Sequence, residues 1–125
     1  MTTYIYSDIT EKIIQCFYTV YNSLGNGFLE KVYEKALSIE LRRAGLQIEV
    51  QCPIKVYYQN EIVGEYFADI IVNDSVIVEL KAIDSLNAVH GNQLVNYLKA
   101  TGIEVGLLLN FGPKPEIKRK IYTTS

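Results

Sequence analysis

Ile9, Ile13, Phe17, Val20 and Leu24 recur at steps of three and four, with polar residues between them. That spacing puts one apolar stripe along a helix. Ser7 or Asp8 can cap its start, and Glu11 completes an Asp-x-x-Glu capping box with Asp8. Gly25-Asn26-Gly27 ends it. A second helix is expected from about Phe28, with Leu29, Val32, Tyr33, Ala36 and Leu37 as its buried stripe and Gly45 just past its end. The link between the two helices is short, which makes them neighbours in space.

The period then changes from helical to alternating. Ile48, Val50, Cys52, Ile54, Val56 and Tyr58 alternate with Glu49, Gln51, Pro53, Lys55 and Tyr57, as in a half-buried strand. Pro53 lacks an amide for a ladder bond, so this strand belongs at an edge or is bulged there. Gln59-Asn60 turns the chain into a strand over 61–72, and another follows over 76–81. A third helix is expected over 86–100, capped by Asp84 or Ser85 and ended by Gly102. Residues 104–111 form a nearly continuous apolar run, the pattern of a strand covered on both faces. Ile117, Arg119 and Ile121 alternate and add a last short strand. The order α-α-β-β-β-α-β(-β) describes a single α/β domain over residues 1–125 with a mixed central sheet.

Composition narrows the classes. The chain has 125 residues, 49% hydrophobic and 21% charged, with a formal net charge of −2. No global basic field advertises nucleic-acid binding, so such a surface would be local. The two cysteines, Cys16 and Cys52, lie outside any Cys/His cluster and read as core residues in a reducing compartment. The N-terminal stretch lacks a basic segment followed by an apolar one, and no apolar run is long enough to span a bilayer. A cytoplasmic protein with no membrane partner is the expectation.

The informative chemistry lies in residues 67–81, where Asp69, Glu79 and Lys81 interrupt two apolar strands. Charged groups are seldom buried unless paired or bound to metal. A three-residue loop, Asn73-Asp74-Ser75, pairs Val72 with Val76 and sets Asp69 opposite Glu79. Phe67, Asp69, Ile71, Ile77, Glu79 and Lys81 then share one face. A two-residue loop would turn Asp69 away. Facing carboxylates repel across a sheet, and a hard divalent cation reverses that. Asp69, Glu79 and the Leu80 carbonyl suit Mg²⁺, or Mn²⁺, with waters and a phosphate completing the shell. Lys81 is placed to hold the attacking water or to stabilise charge on phosphorus. A salt bridge from Lys81 to either carboxylate is the alternative.

These residues resemble a known family. Asp69-x9-Glu79-x-Lys81 on a hairpin followed by a helix is similar to the PD-(D/E)xK nuclease superfamily, with Ala68 where the motif has its proline. The resemblance implies a restriction-endonuclease-like αβββαβ core preceded by an extra N-terminal helix. A narrower resemblance combines Gly27-x-x-Glu30-x-x-Tyr33, the VELKA segment, His90-x-x-Gln93-Leu94-x-x-Tyr97 and GLLLNFG; it points to the small GxxExxY proteins grouped with that superfamily.

By resemblance, Glu30 is a further catalytic carboxylate that reaches metal waters, the alternative being a solvated residue paired with Lys31 or Lys35. Glu34 reads as plain surface. Gln93 and Tyr97 match a Gln-x-x-x-Tyr pair that approaches substrate; the alternative is a half-core Tyr97 with Gln93 on backbone. Tyr33 and His90 share faces with these residues and join the substrate-facing set, although a lone histidine is more often structural. Lys118 and Arg119, in the basic tail, are candidate phosphate contacts or a solvated face. The expected function is a metal-dependent nuclease hydrolysing phosphodiester bonds, of DNA in preference to RNA, with a homodimer compatible with the small size. The alternative is a catalytically silent binding module on the same fold.

Overall fold

A computed structural model describes residues 6–123. The first five residues, part of the N-terminal stretch read for a leader, lie outside the described residues. The elements run α1 (Ser7–Leu24), α2 (Glu30–Arg43), β1 (Ile48–Tyr58), β2 (Glu61–Val72), β3 (Val76–Lys81), α3 (Ala88–Thr101), β4 (Val105–Phe111) and β5 (Pro115–Ile121). The strands form one five-stranded sheet in chain order. β3 and β4 are parallel, and the other neighbours are antiparallel. A parallel pair needs a crossover, and α3 supplies it. The result is the expected α/β fold with a mixed sheet.

Two clusters hold the layers together. On one face, Ile13 and Phe17 of α1 and Leu37 and Leu41 of α2 pack on Ile70, Val78, Leu80, Leu107 and Leu109. On the other, Leu94 and Leu98 of α3 pack on Cys52, Ile54, Ile77 and Leu108. β4 is buried along its whole length, which explains its unbroken apolar run. Gly106 lets α3 sit close: a Cβ there would stand 2.8 Å from Leu94 Cδ1. Among the described residues, no helix is long and apolar enough to cross a membrane.

Several local expectations need correction. α1 is preceded by Tyr6 in the left-handed region and has no side-chain cap, so the Asp8–Glu11 box does not form. α2 begins at Glu30, and Leu29 is 80% exposed. Its buried face is Tyr33, Glu34, Leu37, Ser38 and Leu41. The stripe is rotated because Tyr33 inserts its ring fully into the core and stacks on Phe111 at 4.2 Å. Glu34 is therefore buried, not surface. α3 starts at Ala88 under Asn87, whose side chain accepts from Val89 N–H at 2.9 Å. Asp84 and Ser85 are exposed and lie before that cap.

Gly106→Ala is expected to destabilise the fold by about 1–3 kcal/mol, because the added Cβ would press on the buried Leu94 side chain at 2.8–3.0 Å. Equilibrium denaturation in urea measures it; an unchanged midpoint would show that α3 adjusts freely.

Candidate functional site

The β2–β3 turn sets the register. Asn73 and Asp74 adopt φ of 52° and 51°, and Ser75 N–H donates to the Val72 carbonyl. Val72 pairs with Val76, as the three-residue loop requires, and the ladder continues through Ile71–Ile77 and Ile70–Val78. At the next step the two strands part. Asp69 N–H donates to Glu79 Oε1 at 3.0 Å, and Leu80 N–H donates to Asp69 Oδ2 at 2.8 Å. Each carboxylate thus takes the place of a ladder carbonyl for the opposite strand.

The parting has a visible backbone cause. Ile70 belongs to the cluster under α1 and α2, whereas Ala68, two residues earlier, packs under α3. β1 makes the same switch between Ile48 and Cys52. Gln51, at the switch, has φ of 54°. The strand face therefore inverts at Asp69, and Phe67, 57% exposed, does not continue the face of Ile71, Ile77 and Glu79 as expected. Gln51 was missed by sequence reasoning, since an alternating strand assigns it to solvent. Its Nε2 donates to Glu34 Oε2 at 2.6 Å and to Asp69 Oδ1 at 3.3 Å. Glu34 also pairs with Lys31 at 3.1 Å. The signal for Glu34 was its place four residues after Glu30, on the same helical side.

Charge accumulates here. Glu79 is buried, and burial followed by the Asp69 charge pushes its carboxyl from 4.5 up to about 9. Burial, then the charge of Asp69, also raises Glu30, while Lys81 opposes the rise. Glu30 therefore sits within the field of Asp69 and Lys81. Lys81 joins neither of the two ion pairs among the described residues, so the salt-bridge alternative is not what the geometry shows. Among the described residues, no three His, Cys, Asp or Glu side chains form a ready-made metal cluster. Two carboxylates that leave other positions to water and phosphate are nevertheless a common Mg²⁺ arrangement, and the excess negative charge fits a divalent cation.

Beside the carboxylates lies a cavity of about 280 Å³ lined by Glu79, Lys81, His90, Gln93 and Tyr97. Gln93 Nε2 donates to the Tyr97 hydroxyl at 2.9 Å. Burial, and more weakly the charges of Glu79 and Asp69, raise the Tyr97 hydroxyl pKa against the Gln93 hydrogen bond. His90 Nδ1 accepts from Asn87 N–H at 3.1 Å, completing the α3 capping box. That bond gives His90 a structural task and leaves its other nitrogen beyond it.

Two expected contacts are displaced. Tyr33 is fully buried; its hydroxyl donates to the Gly25 carbonyl at 2.6 Å and accepts from Phe28 N–H at 3.2 Å. It clasps the loop before α2 and offers no surface to a substrate. Arg119 is separated from Lys118 by strand alternation. Lys118 and Lys120 line a cavity beside α3, whereas Arg119 Nη1 donates to Thr10 Oγ1 of α1 at 3.1 Å. A further residue, Asn110, escaped notice inside an apolar run. It is fully buried, holds both backbone groups of Ile83 at 3.0 Å and donates to Glu116 at 2.8 Å. Glu116 in turn accepts from Leu86 N–H at 3.0 Å, so the pair fixes the loop after Lys81.

Residues 7–120 match the family model described as the PD-(D/E)XK nuclease superfamily. The chain belongs to that superfamily. The superfamily is one of nucleases, which generally use divalent metals. The crystal structure of SSO0001 is similar in fold, with a TM-score of 0.58 and 18% identity. The alignment covers 95% of this chain and 61% of that one, so the chain spans about three-fifths of that structure's length. The comparison with curated proteins finds no match.

In this nuclease-superfamily chain, the raised Glu79 carboxyl links stability to pH. The folded state retains a proton that the unfolded state loses near 4.5, so this contribution is full below that pH and drains away as pH rises towards 9. The thermal midpoint of the metal-free protein is expected to fall across that interval, and Glu79→Gln to flatten the decline. Calorimetry in EDTA at several pH values measures both; a wild-type profile no steeper than that of Glu79→Gln would contradict the link.

Proposed function

We propose that the chain is a divalent-metal-dependent phosphodiesterase that hydrolyses nucleic acid, with DNA as the proposed substrate. The observation that carries this reading is the paired hydrogen bonding of Asp69 and Glu79 to each other's strands beside Lys81, which joins no ion pair among the described residues. Asp69, Glu79 and the Leu80 carbonyl would hold Mg²⁺, with Mn²⁺ as a substitute. When bound, the cation supplies charge neutralisation for the phosphate and a more acidic water. Glu30 accepts a hydrogen bond from the attacking water and orients it. Lys81 stabilises charge developing on the phosphoryl oxygens as the phosphorus–oxygen bond to the leaving group breaks. Gln93 and Tyr97 position the strand, with the free nitrogen of His90 and Lys118 as outlying contacts.

Gly27-x-x-Glu30-x-x-Tyr33 supports placing the chain with the GxxExxY proteins. The physical sense of the motif is the Tyr33 clasp on Gly25 and Phe28, which settles the loop from which Glu30 starts its helix.

Labelled single-stranded, duplex and branched DNA and RNA are the substrates for the test, with Mg²⁺ or Mn²⁺ added. Asp69→Ala and Lys81→Ala are each expected to lower the cleavage rate by on the order of a hundredfold or more. Cleavage that survives both substitutions would sink the assignment. Saturating Mg²⁺ is also expected to stabilise the wild type by about 2–3 kcal/mol at a hundred times its Kd, and Asp69→Ala to lose that gain. Absence of both cleavage and stabilisation would favour the silent binding module.

A further inference from the structure

Across Gln93 and Tyr97 from the site cavity lies a second and larger groove. It measures about 490 Å³ and lies between α3 and the outer part of the β1–β2 hairpin. Gln93 and Tyr97 line both spaces, so the groove adjoins the candidate active site. Its other walls are Tyr57, Tyr66, Lys55, Asn96 and Lys99. None of these was singled out by the motif that identifies the superfamily.

The tyrosines are unusually placed for a half-buried sheet. Tyr57 is 60% exposed and Tyr66 is 44% exposed. Tyr66 is nonetheless held, with its ring 5.6 Å from that of Tyr97 and tilted by 46°. Gly64 makes room for it: a Cβ at that position would stand 3.3 Å from Tyr66 Cε2. Lys99 is steadied at the opposite wall, with Nζ 5.4 Å from the centre of the Tyr122 ring. The groove therefore offers flat aromatic faces, two ammonium groups and two side-chain amides, next to the cavity lined by Glu79 and Lys81.

We infer that this groove binds an unpaired polynucleotide strand, with bases against Tyr57 and Tyr66 and phosphates near Lys55 and Lys99, leading the strand towards the candidate active site. The inference rests on the nuclease reading for its direction, but binding can be read without turnover. Every base has a π-face, so stacking of this kind tolerates sequence, and it is open only to bases released from a duplex stack. Lysines supply the phosphate attraction that the net charge of −2 does not. Base faces and phosphates are common to DNA and RNA, so strands of both kinds share the required chemistry.

The test is fluorescence anisotropy of the full chain with labelled oligo-dT, oligo-rU and a blunt DNA duplex, in EDTA to prevent cleavage. Either single strand is expected to bind at least about tenfold more tightly than the duplex. Tyr57→Ala and Tyr66→Ala are each expected to weaken strand binding by about tenfold, and Tyr57→Phe to retain it. Lys55→Ala with Lys99→Ala should reduce the salt dependence by about 1.4 in log–log slope, at roughly 0.7 per phosphate. Duplex binding as tight as that of both strands overturns the inference. So does unchanged affinity in Tyr57→Ala, whose exposed side chain keeps the fold independent of the result. Strand binding without any metal-dependent cleavage would leave the groove standing and remove only the catalytic reading; cleavage with no effect of the groove variants would do the reverse.

Discussion

Two backbone amides, those of Asp69 and Leu80, are satisfied by carboxylates instead of carbonyls. A buried amide must find an acceptor, and here the acceptors stand where β2 leaves β3. The parting of the strands and the position of the acidic pair are one event. Replacing either carboxylate by an apolar group would orphan an amide at a cost of about 1–3 kcal/mol as well as remove a candidate ligand. Structural and chemical demands thus fall on the same atoms.

The surroundings hold this junction from three directions. Gln51 ties Asp69 to Glu34 of α2. Asn110 and Glu116 fix the loop that follows Lys81. The Tyr33 ring stacks on Phe111 while its hydroxyl clasps the loop before Glu30, so the end of β4 and the start of α2 are joined through one side chain. Gly112 tightens the same region: a Cβ there would collide with the Ile83 carbonyl, and its own carbonyl accepts from the Tyr21 hydroxyl at 2.5 Å.

Apolar period was enough to foresee the order of elements and the doubly covered β4, while the missing amide of Pro53 left an edge or a bulge open for β1, which lies at the edge. The hairpin register was legible because loop length and strand parity together allow few alternatives. What stayed hidden depended on departures from period. A left-handed φ at Gln51 carries no sequence mark comparable to glycine, so the inversion of the strand face at Asp69 was invisible. The rotation of α2 followed from the volume of Tyr33, which outranked the more exposed Leu29 and Val32. Lys118 and Arg119 are adjacent in sequence, and it is strand geometry that sends them to opposite sides. Asn110 sits in an apolar run, and only the polar backbone of a neighbouring loop explains it.

The outer hairpin presents Tyr57, Tyr58, Ile62, Val63, Tyr66 and Phe67 at the free margin of a sheet. Such a margin would ordinarily template a further strand from another molecule and seed aggregation. The irregularities of β1 oppose this. Pro53 brings no amide, Gln51 breaks the extended conformation, and the register slips between Val56 and Tyr57. At the opposite margin β5 opens with Pro115 and carries Lys118 and Lys120. The same kinked strand that delivers Gln51 to Asp69 therefore makes a poor template for a further strand beside the exposed aromatic surface.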